Sequence, residues 1–311
     1  MKLKIGTRGS KLALHQTRQV AGLIKTHKPE CEIEEVIIKT LGDRVKDMPL
    51  FKVGGQGLFI KEIENALLDG RIDIAVHSLK DVPHQIAEGL VLAGFGLAKD
   101  ARDCFLSEKY SSLNQLPSGA IVGTSSLRRR SQIAAIRPDL VFSDFRGNLD
   151  TRLQKLKDGE VDAIVLAAAG LIRLGQAGKI GELFPIEKIT PPAGQGLIAV
   201  QCRKEDYDKV TDHLKLFNCE VSKIRALCER AFLQEIQGGC QTPLAAHAMI
   251  NGETVRLYTF VGTPDGAKTI RRCDCGSIHE PEALGKQAAM AIVSGGATEI
   301  IEAVRGKKRD E

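Results

Sequence analysis

Tryptophan is absent from this chain of 311 residues, tyrosine occurs three times, and aromatic residues make up 4% of the total. A protein that holds single-stranded nucleic acid by stacking its bases needs aromatic platforms, so that class is poorly served here. Charge of one sign is also scarce. The 44 Lys and Arg stand against 39 Asp and Glu, a formal net charge of +5, which by itself points to no nucleic-acid partner. No apolar run approaches the roughly 20 residues that cross a bilayer. The opening Met1-Lys2-Leu3-Lys4-Ile5-Gly6-Thr7 alternates like a strand and lacks the long apolar core of a signal peptide. A cytoplasmic protein with no membrane partner is expected. The eight cysteines are scattered and form no compact disulfide framework. Cys273-x-Cys275 has the wrong spacing for a zinc knuckle and is flanked by Arg271 and Arg272, so no metal is expected.

What is present begins with length enough for two or three domains. Two stretches echo each other. Leu67-Leu68-Asp69-Gly70 before Ile72-Asp73-Ile74-Ala75-Val76 matches Leu156-Lys157-Asp158-Gly159 before Val161-Asp162-Ala163-Ile164-Val165. Each reads as a helix end, an Asp-Gly turn and a short buried strand. Gly6-Thr7-Arg8-Gly9-Ser10 echoes Gly123-Thr124-Ser125-Ser126 as strand, small-residue turn and helix start. These echoes suggest two similar α/β halves with ligand-binding turns at strand ends, although common βα grammar could also produce them. Ser10 is placed to cap a helix running to about His27, and Ser126 another that stops before Pro138. Asp150 or Thr151 would open a third. Phe51 to Leu58 is rich in glycine and reads as a mobile, lid-like loop. From about residue 217 the character changes to a helix over Glu220–Glu235, a loop, alternating strands such as Thr254–Phe260 and a final helix: a small α+β region.

The chemistry concentrates in arginines and one cysteine. In Gly123-Thr124-Ser125-Ser126-Leu127-Arg128-Arg129 a hydroxyl-lined turn presents free N–H groups at a helix start, a natural anion site. Arg128 and Arg129 in that first turn oppose the helix dipole, and a bound anion would resolve the conflict. The bland alternative is a solvated basic face. Arg8 and Ser10 repeat the arrangement, and Arg146-Gly147-Asn148 with Arg152 forms a further helix entrance. In Ala75-Val76-His77-Ser78-Leu79-Lys80-Asp81-Val82-Pro83, Pro83 holds Val82 extended, so Lys80 and Asp81 fall where a buried strand meets a loop. They are either working residues or a surface ion pair worth little. Cys240, in Gln237-Gly238-Gly239-Cys240-Gln241-Thr242-Pro243, follows two glycines and reads as a thiol presented on a shaped loop, the alternative being a buried structural thiol.

Together the Gly6–Leu14 stretch, Gly54-Gly55-Gln56-Gly57-Leu58-Phe59, Ala75–Pro83, Gly123–Arg129, Arg146-Gly147-Asn148, Pro192-Ala193-Gly194-Gln195-Gly196 and Gly239-Cys240 resemble the hydroxymethylbilane synthase (porphobilinogen deaminase) family, essentially end to end. The resemblance implies two similar periplasmic-binding-protein-like α/β domains plus a small α+β C-terminal domain. Their bounds would be 1–96 with 197–214, then 97–196, then 215–311, the last carrying the cysteine. It implies a monomeric transferase that joins four porphobilinogen molecules head to tail, with loss of ammonia, into hydroxymethylbilane. Cys240 would hold one dipyrromethane cofactor through a thioether. Asp81 would stabilise the cationic azafulvene left when ammonia departs. Arg8, Ser10, Lys80, Thr124, Ser126, Arg128, Arg129, Arg146, Arg152 and Arg173 would contact cofactor or substrate carboxylates. The chain departs from the family at Gln56, where many relatives carry lysine, and in Gly196–Gln201, where the usual pattern ends in glutamate. A two-lobed anion receptor without chemistry, or a basic nucleic-acid binder, are the readings from other classes.

Overall fold

The computed structural model describes residues 2–41, 60–236 and 242–306. In chain order these form β1 (Lys2–Thr7), α1 (Lys11–His27), β2 (Glu32–Ile37), α2 (Lys61–Leu68), β3 (Ile74–Ser78) and β4 (Leu90–Phe95). Then come β5 (Asp103–Leu106), β6 (Ile121–Gly123), α3 (Leu127–Ala134), β7 (Val141–Ser143), α4 (Leu149–Lys157), β8 (Ala163–Ala167), α5 (Ala168–Arg173) and β9 (Glu182–Leu183). The chain continues through β10 (Ile198–Arg203), α6 (Tyr207–His213), α7 (Glu220–Glu235), β11 (Leu244–Asn251), β12 (Thr254–Gly262), β13 (Thr269–Ser277), α8 (Pro281–Ile292) and α9 (Thr298–Gly306). Contacts divide it into two compact units, Met1–Lys99 with Gly196–Ala226, and Asp100–Gln195 with Leu227–Glu311.

The first unit is built on a five-stranded sheet in the order β2-β1-β3-β10-β4. β1 runs parallel to β2 and β3, while β10 runs antiparallel to β3 and β4. The second unit holds a sheet in the order β7-β6-β8-β5-β9, with β6 parallel to β7 and β8, and β5 antiparallel to β8 and β9. Position for position the two sheets share order and orientation, including the reversed fourth strand. The internal echo in the sequence is therefore architectural, and the chain is mixed α/β.

Both sheets are covered on both faces, which is why their inner strands read as apolar runs. In the first unit Leu3, Ile5, Ile74 and Val76 pack with Val20 and Ile24 of α1, whereas Ala75 packs with Ile63 and Leu67 of α2. In the second, Phe105, Val122 and Val165 meet Ile133 of α3, while Cys104, Leu106, Ile164 and Leu166 meet Leu153 and Leu171. The two Asp-Gly turns behave alike. Gly70 (φ 69) and Gly159 (φ 78) follow the last helical residues in the left-handed conformation that ends helices at low cost. Both serine caps form as expected: Ser10 Oγ accepts from Ala13 N at 3.2 Å and Ser126 Oγ from Arg129 N at 3.4 Å. The third cap differs. Asn148, not Asp150 or Thr151, caps α4, its Oδ1 accepting from Thr151 N at 2.9 Å. Gly147 (φ 119) turns the backbone just before it, and only then can the amide side chain fold back over the helix start.

Within the second unit a separate antiparallel meander, β11-β12-β13, packs against α8 and α9. Gly276 of β13 lies against Leu284 of α8, so every second residue of the strand faces that helix. This is the small α+β region expected after residue 217.

Candidate active site

In the first unit the C-terminal ends of β1 and β3 lie side by side, because the two strands are parallel neighbours. Arg8 and the cap Ser10 follow β1, and a single 3-10 turn, Leu79–Asp81, follows β3. Val82 after the turn is extended (φ −81, ψ 122), as Pro83 requires. These elements enclose a pocket lined by Arg8, Ser10, Gln16, His77, Ser78 and Asp81, among others. Three residues singled out from the sequence thus meet around one space. Asp81 is exposed at its mouth. Lys80, half-buried in the same turn, is not among the lining residues.

Gln16, His77 and Ser78 were not assigned from sequence. Gln16 is buried on α1, and its amide and the Ser78 hydroxyl bond each other at 2.9 and 3.1 Å. His77 carried a signal in its motif but no geometry. Its Nε2 lies 3.0 Å from Gln201 Oε1, and Gln201 Nε2 donates to Glu64 Oε1 at 2.8 Å. Because a carboxylate only accepts, the Gln201 amide is oriented with its oxygen toward the ring, and His77 carries its proton on Nε2. Burial pushes the imidazole down to about 4 against the opposing Gln201 bond, and the nearby Arg8 charge adds to the fall. His77 is neutral at ordinary pH. Gln201 ends the apolar segment noted as a departure from the family, and this is its structural role.

In the second unit the corresponding edge, at the C-terminal ends of β6, β7 and β8, carries the arginines. Thr124, Ser126, Arg128 and Arg129 follow β6; Arg146 and, on α4, Arg152 follow β7; Arg173 ends α5, which follows β8 directly. Thr124 is buried, and its Oγ1 accepts from Ser126 N at 3.2 Å. Arg128 and Arg129 are buried as well, at 6% and 8% exposure, which rules out a solvated basic face. Both converge on Asp103, the first residue of β5 and fully buried. Arg129 reaches Asp103 Oδ1 through Nε (3.1 Å) and Nη2 (2.8 Å), and its Nη1 donates to Val165 O at 3.1 Å. Arg128 Nη1 stands 2.7 Å from Asp103 Oδ2 but off the line of a hydrogen bond to it, and donates to Thr190 O at 2.8 Å. Gln195 Nε2 completes the cluster, donating to Asp103 Oδ1 at 3.0 Å and to Ala101 O at 2.6 Å.

Burial alone would raise the Asp103 carboxyl; the charges of Arg128 and Arg129 outweigh it and hold the group far below the usual carboxylate range. Burial lowers Arg128. Arg173, buried too, is pushed down to about 10. Part of the conflict between these arginines and the helix dipole is thus met from within, by an aspartate 25 residues before Arg128 that no local motif announces. The compensation is incomplete. Among the described residues, Asp103 is the carboxylate paired with either arginine, so two guanidiniums share one negative charge.

Cys240 and the loop with Gln56 lie outside the described residues. No group of three or more metal-binding side chains forms among the described residues, and no helix there is long and apolar enough to cross a membrane.

Residues 3–211 match the family model described as porphobilinogen deaminase, dipyromethane cofactor binding domain, and residues 223–294 match that of the porphobilinogen deaminase C-terminal domain. A porphobilinogen deaminase of Brevibacillus brevis is 45% identical over 304 residues, covering 97% of each chain. That of Geobacillus kaustophilus is 46% identical over 307 residues, covering 98% of each. Among solved structures, immunogenic lipoprotein A from Vibrio vulnificus aligns with 69% of this chain and 94% of its own at 12% identity and a TM-score of 0.44. A periplasmic substrate-binding protein of an ABC transporter from Coxiella burnetii aligns with 69% and 90% at 13% and 0.44. Alignments this loose do not bear on function.

Proposed function

The chain belongs to the porphobilinogen deaminase family, and on that premise we infer that it joins four porphobilinogen molecules head to tail, releasing ammonia at each joining, to give hydroxymethylbilane. The observation that carries the chemistry is the first-unit pocket, where Arg8, the Ser10 helix start and the Asp81 carboxylate share one space. Porphobilinogen bears an acetate and a propionate. The guanidinium and the helix N-terminus suit those carboxylates, through charge-assisted bonds that fix orientation. Asp81, with no arginine clamping it among the ion pairs of the described residues, is free to face a positive centre. It stabilises the cation left as ammonia departs and takes part in the later loss of a pyrrole proton.

The second unit fits a polycarboxylate cofactor. Arg128 and Arg129 leave one positive charge unmatched after Asp103, and Arg173 is held in surroundings that disfavour its charge. A carboxylate arriving beside Arg128 and Arg129 supplies the second negative charge that this pair lacks. On this reading Thr124, Ser126, Arg128, Arg129, Arg146, Arg152 and Arg173 hold the carboxylates of a dipyrromethane attached through Cys240. When bound, that group supplies the primer end to which each new unit is added. Attachment keeps the growing chain on the protein, so each addition is a positioned reaction and not a fresh encounter.

The same reading divides the chain into three domains, 1–96 with 197–214, 97–196 and 215–311, supported by the three separate sheets. It takes porphobilinogen as the partner and describes a monomer of the cytoplasm that binds neither nucleic acid nor a membrane. The test is the intact mass of the purified protein beside Cys240→Ser. The expected surplus is two porphobilinogen units less two ammonia, absent from the variant. A wild-type chain still unmodified after incubation with porphobilinogen would overturn the reading in favour of an anion receptor.

A further inference from the structure

The described cysteines fall into two kinds. Cys31, Cys104, Cys202 and Cys228 are buried, and burial pushes the thiols of Cys104, Cys202 and Cys228 up to about 12, 11 and 12, where they stay protonated and inert. Cys219 is half-buried. Cys273 and Cys275 are exposed, and both stand on β13, the outer strand of the three-stranded sheet. Residues two apart on a strand share a face. Gly276 points at α8, so both thiols stand on the opposite face of the strand, where each is exposed.

Two residues along a strand are separated by about 6.6 Å, with their side chains running parallel. A disulfide brings β-carbons to roughly 3.5–4.5 Å, so this pair cannot close on itself without bending the strand. The sulfurs can instead converge on one atom between them. Thiolates favour soft ions, and two donors without a third suit an ion content with two ligands. No third metal-binding side chain joins them among the described residues, which disfavours zinc and other ions that take four.

The surrounding charge selects the ion further. Arg272 is turned to the other face and paired with Asp274 at 2.7 Å, so it does not crowd the thiols. On their own face, Arg256 is the cross-strand partner of Cys275, Tyr258 that of Cys273, and Arg271 lies over the Phe260 ring at 4.6 Å. A free dication meets repulsion from these arginines. A monovalent ion held by two thiolates forms a complex of net charge −1, which the same arginines stabilise.

We propose that Cys273 and Cys275 form a two-coordinate site for a soft monovalent cation of the copper(I) class. Binding deprotonates both thiols: one cation and two S–H groups give two metal–sulfur bonds and two released protons, with no change of oxidation state. The sequence-based objection from the flanking arginines applies to divalent ions and not to this one.

The experiment titrates the reduced holoenzyme with copper(I) under ascorbate, against the chromogenic chelator bicinchoninate. Wild type is expected to withdraw one equivalent per chain. Because the second thiol acts at a short-tether effective concentration, Cys273→Ser and Cys275→Ser should each weaken binding by at least roughly 100-fold. Cys219→Ser should bind as wild type, and turnover of the metal-free serine variants should be unchanged. If wild type withdraws no copper, or if either strand variant still holds it as wild type does, the paired site is wrong.

Discussion

Two sheets of the same strand order treat the C-terminal ends of their parallel strands in opposite ways. Among the described residues the first unit's edge is the more exposed: Arg8 is half-buried, Asp81 is exposed, and the other residues lining the pocket are small or neutral. The second packs Arg128 and Arg129 inside, against a buried aspartate and backbone carbonyls. On the proposed reading the difference separates two tasks that one fold can serve. Recognising a carboxylate rewards charges fixed in advance at low dielectric, whereas handling a proton or a fleeting cation rewards a carboxylate that no arginine already holds.

The sharpest way to break this division is Asp81→Asn. If the open edge does the chemistry, turnover of porphobilinogen falls by roughly 10²- to 10⁴-fold. Mass spectrometry should still find the cofactor attached, because the second unit's arginines are untouched. Wild-type turnover under conditions where chemistry limits would remove Asp81 from its role.

On the closed edge the large effect should be on folding. Asp103→Ala strands two buried guanidiniums, at a cost of about 3–5 kcal/mol. Urea unfolding would show it as a lower midpoint with an unchanged slope. Since the Asp103 carboxyl is held far below its ordinary 3.8, its contribution is complete above that value and fades as pH falls below it. The variant should lose that part of the acid sensitivity.

His77 sharpens the comparison on the open side. Its folded value of about 4 lies below the ordinary 6.5, so the unfolded chain takes up the proton first as pH drops. Stability is therefore full above pH 6.5 and is lost between 6.5 and 4, by about 3 kcal/mol across the window. Denaturant titrations at several pH values should show that slope, and His77→Gln should flatten it. The smallest effects belong to the matched caps. Ser10→Ala and Ser126→Ala should each cost about 1 kcal/mol, and a marked inequality would mean the two helix starts are not equivalent.

Much of this was legible along the chain. The caps at Ser10 and Ser126, the helix over Glu220–Glu235 and the paired Asp-Gly turns all follow from residues within a few positions of one another. The turn holding Lys80 and Asp81 was readable because Pro83 constrains its neighbour directly. The start of α4 was misplaced by sequence because three capping residues, Asn148, Asp150 and Thr151, compete there, and Gly147's backbone decides among them. Gln16 was missed for a different reason: nothing on its helix distinguishes it from any buried polar residue until Ser78 is brought beside it.

The sequence by itself determined that the chain makes two α/β halves and an α+β end, and that it presents arginines at helix entrances. It also carried the motifs that mark the family. Those properties depend on local backbone preference and hydrophobic period, which are written into neighbouring residues. Only the tertiary structure decided that Arg128 and Arg129 lean on Asp103, that Gln201 sets the proton on His77, and that Cys273 and Cys275 share a face free of Arg272. Charge compensation and side-chain orientation act through space, between strands distant in sequence. Desolvation makes each such pairing decisive, yet it leaves no periodic trace in the chain.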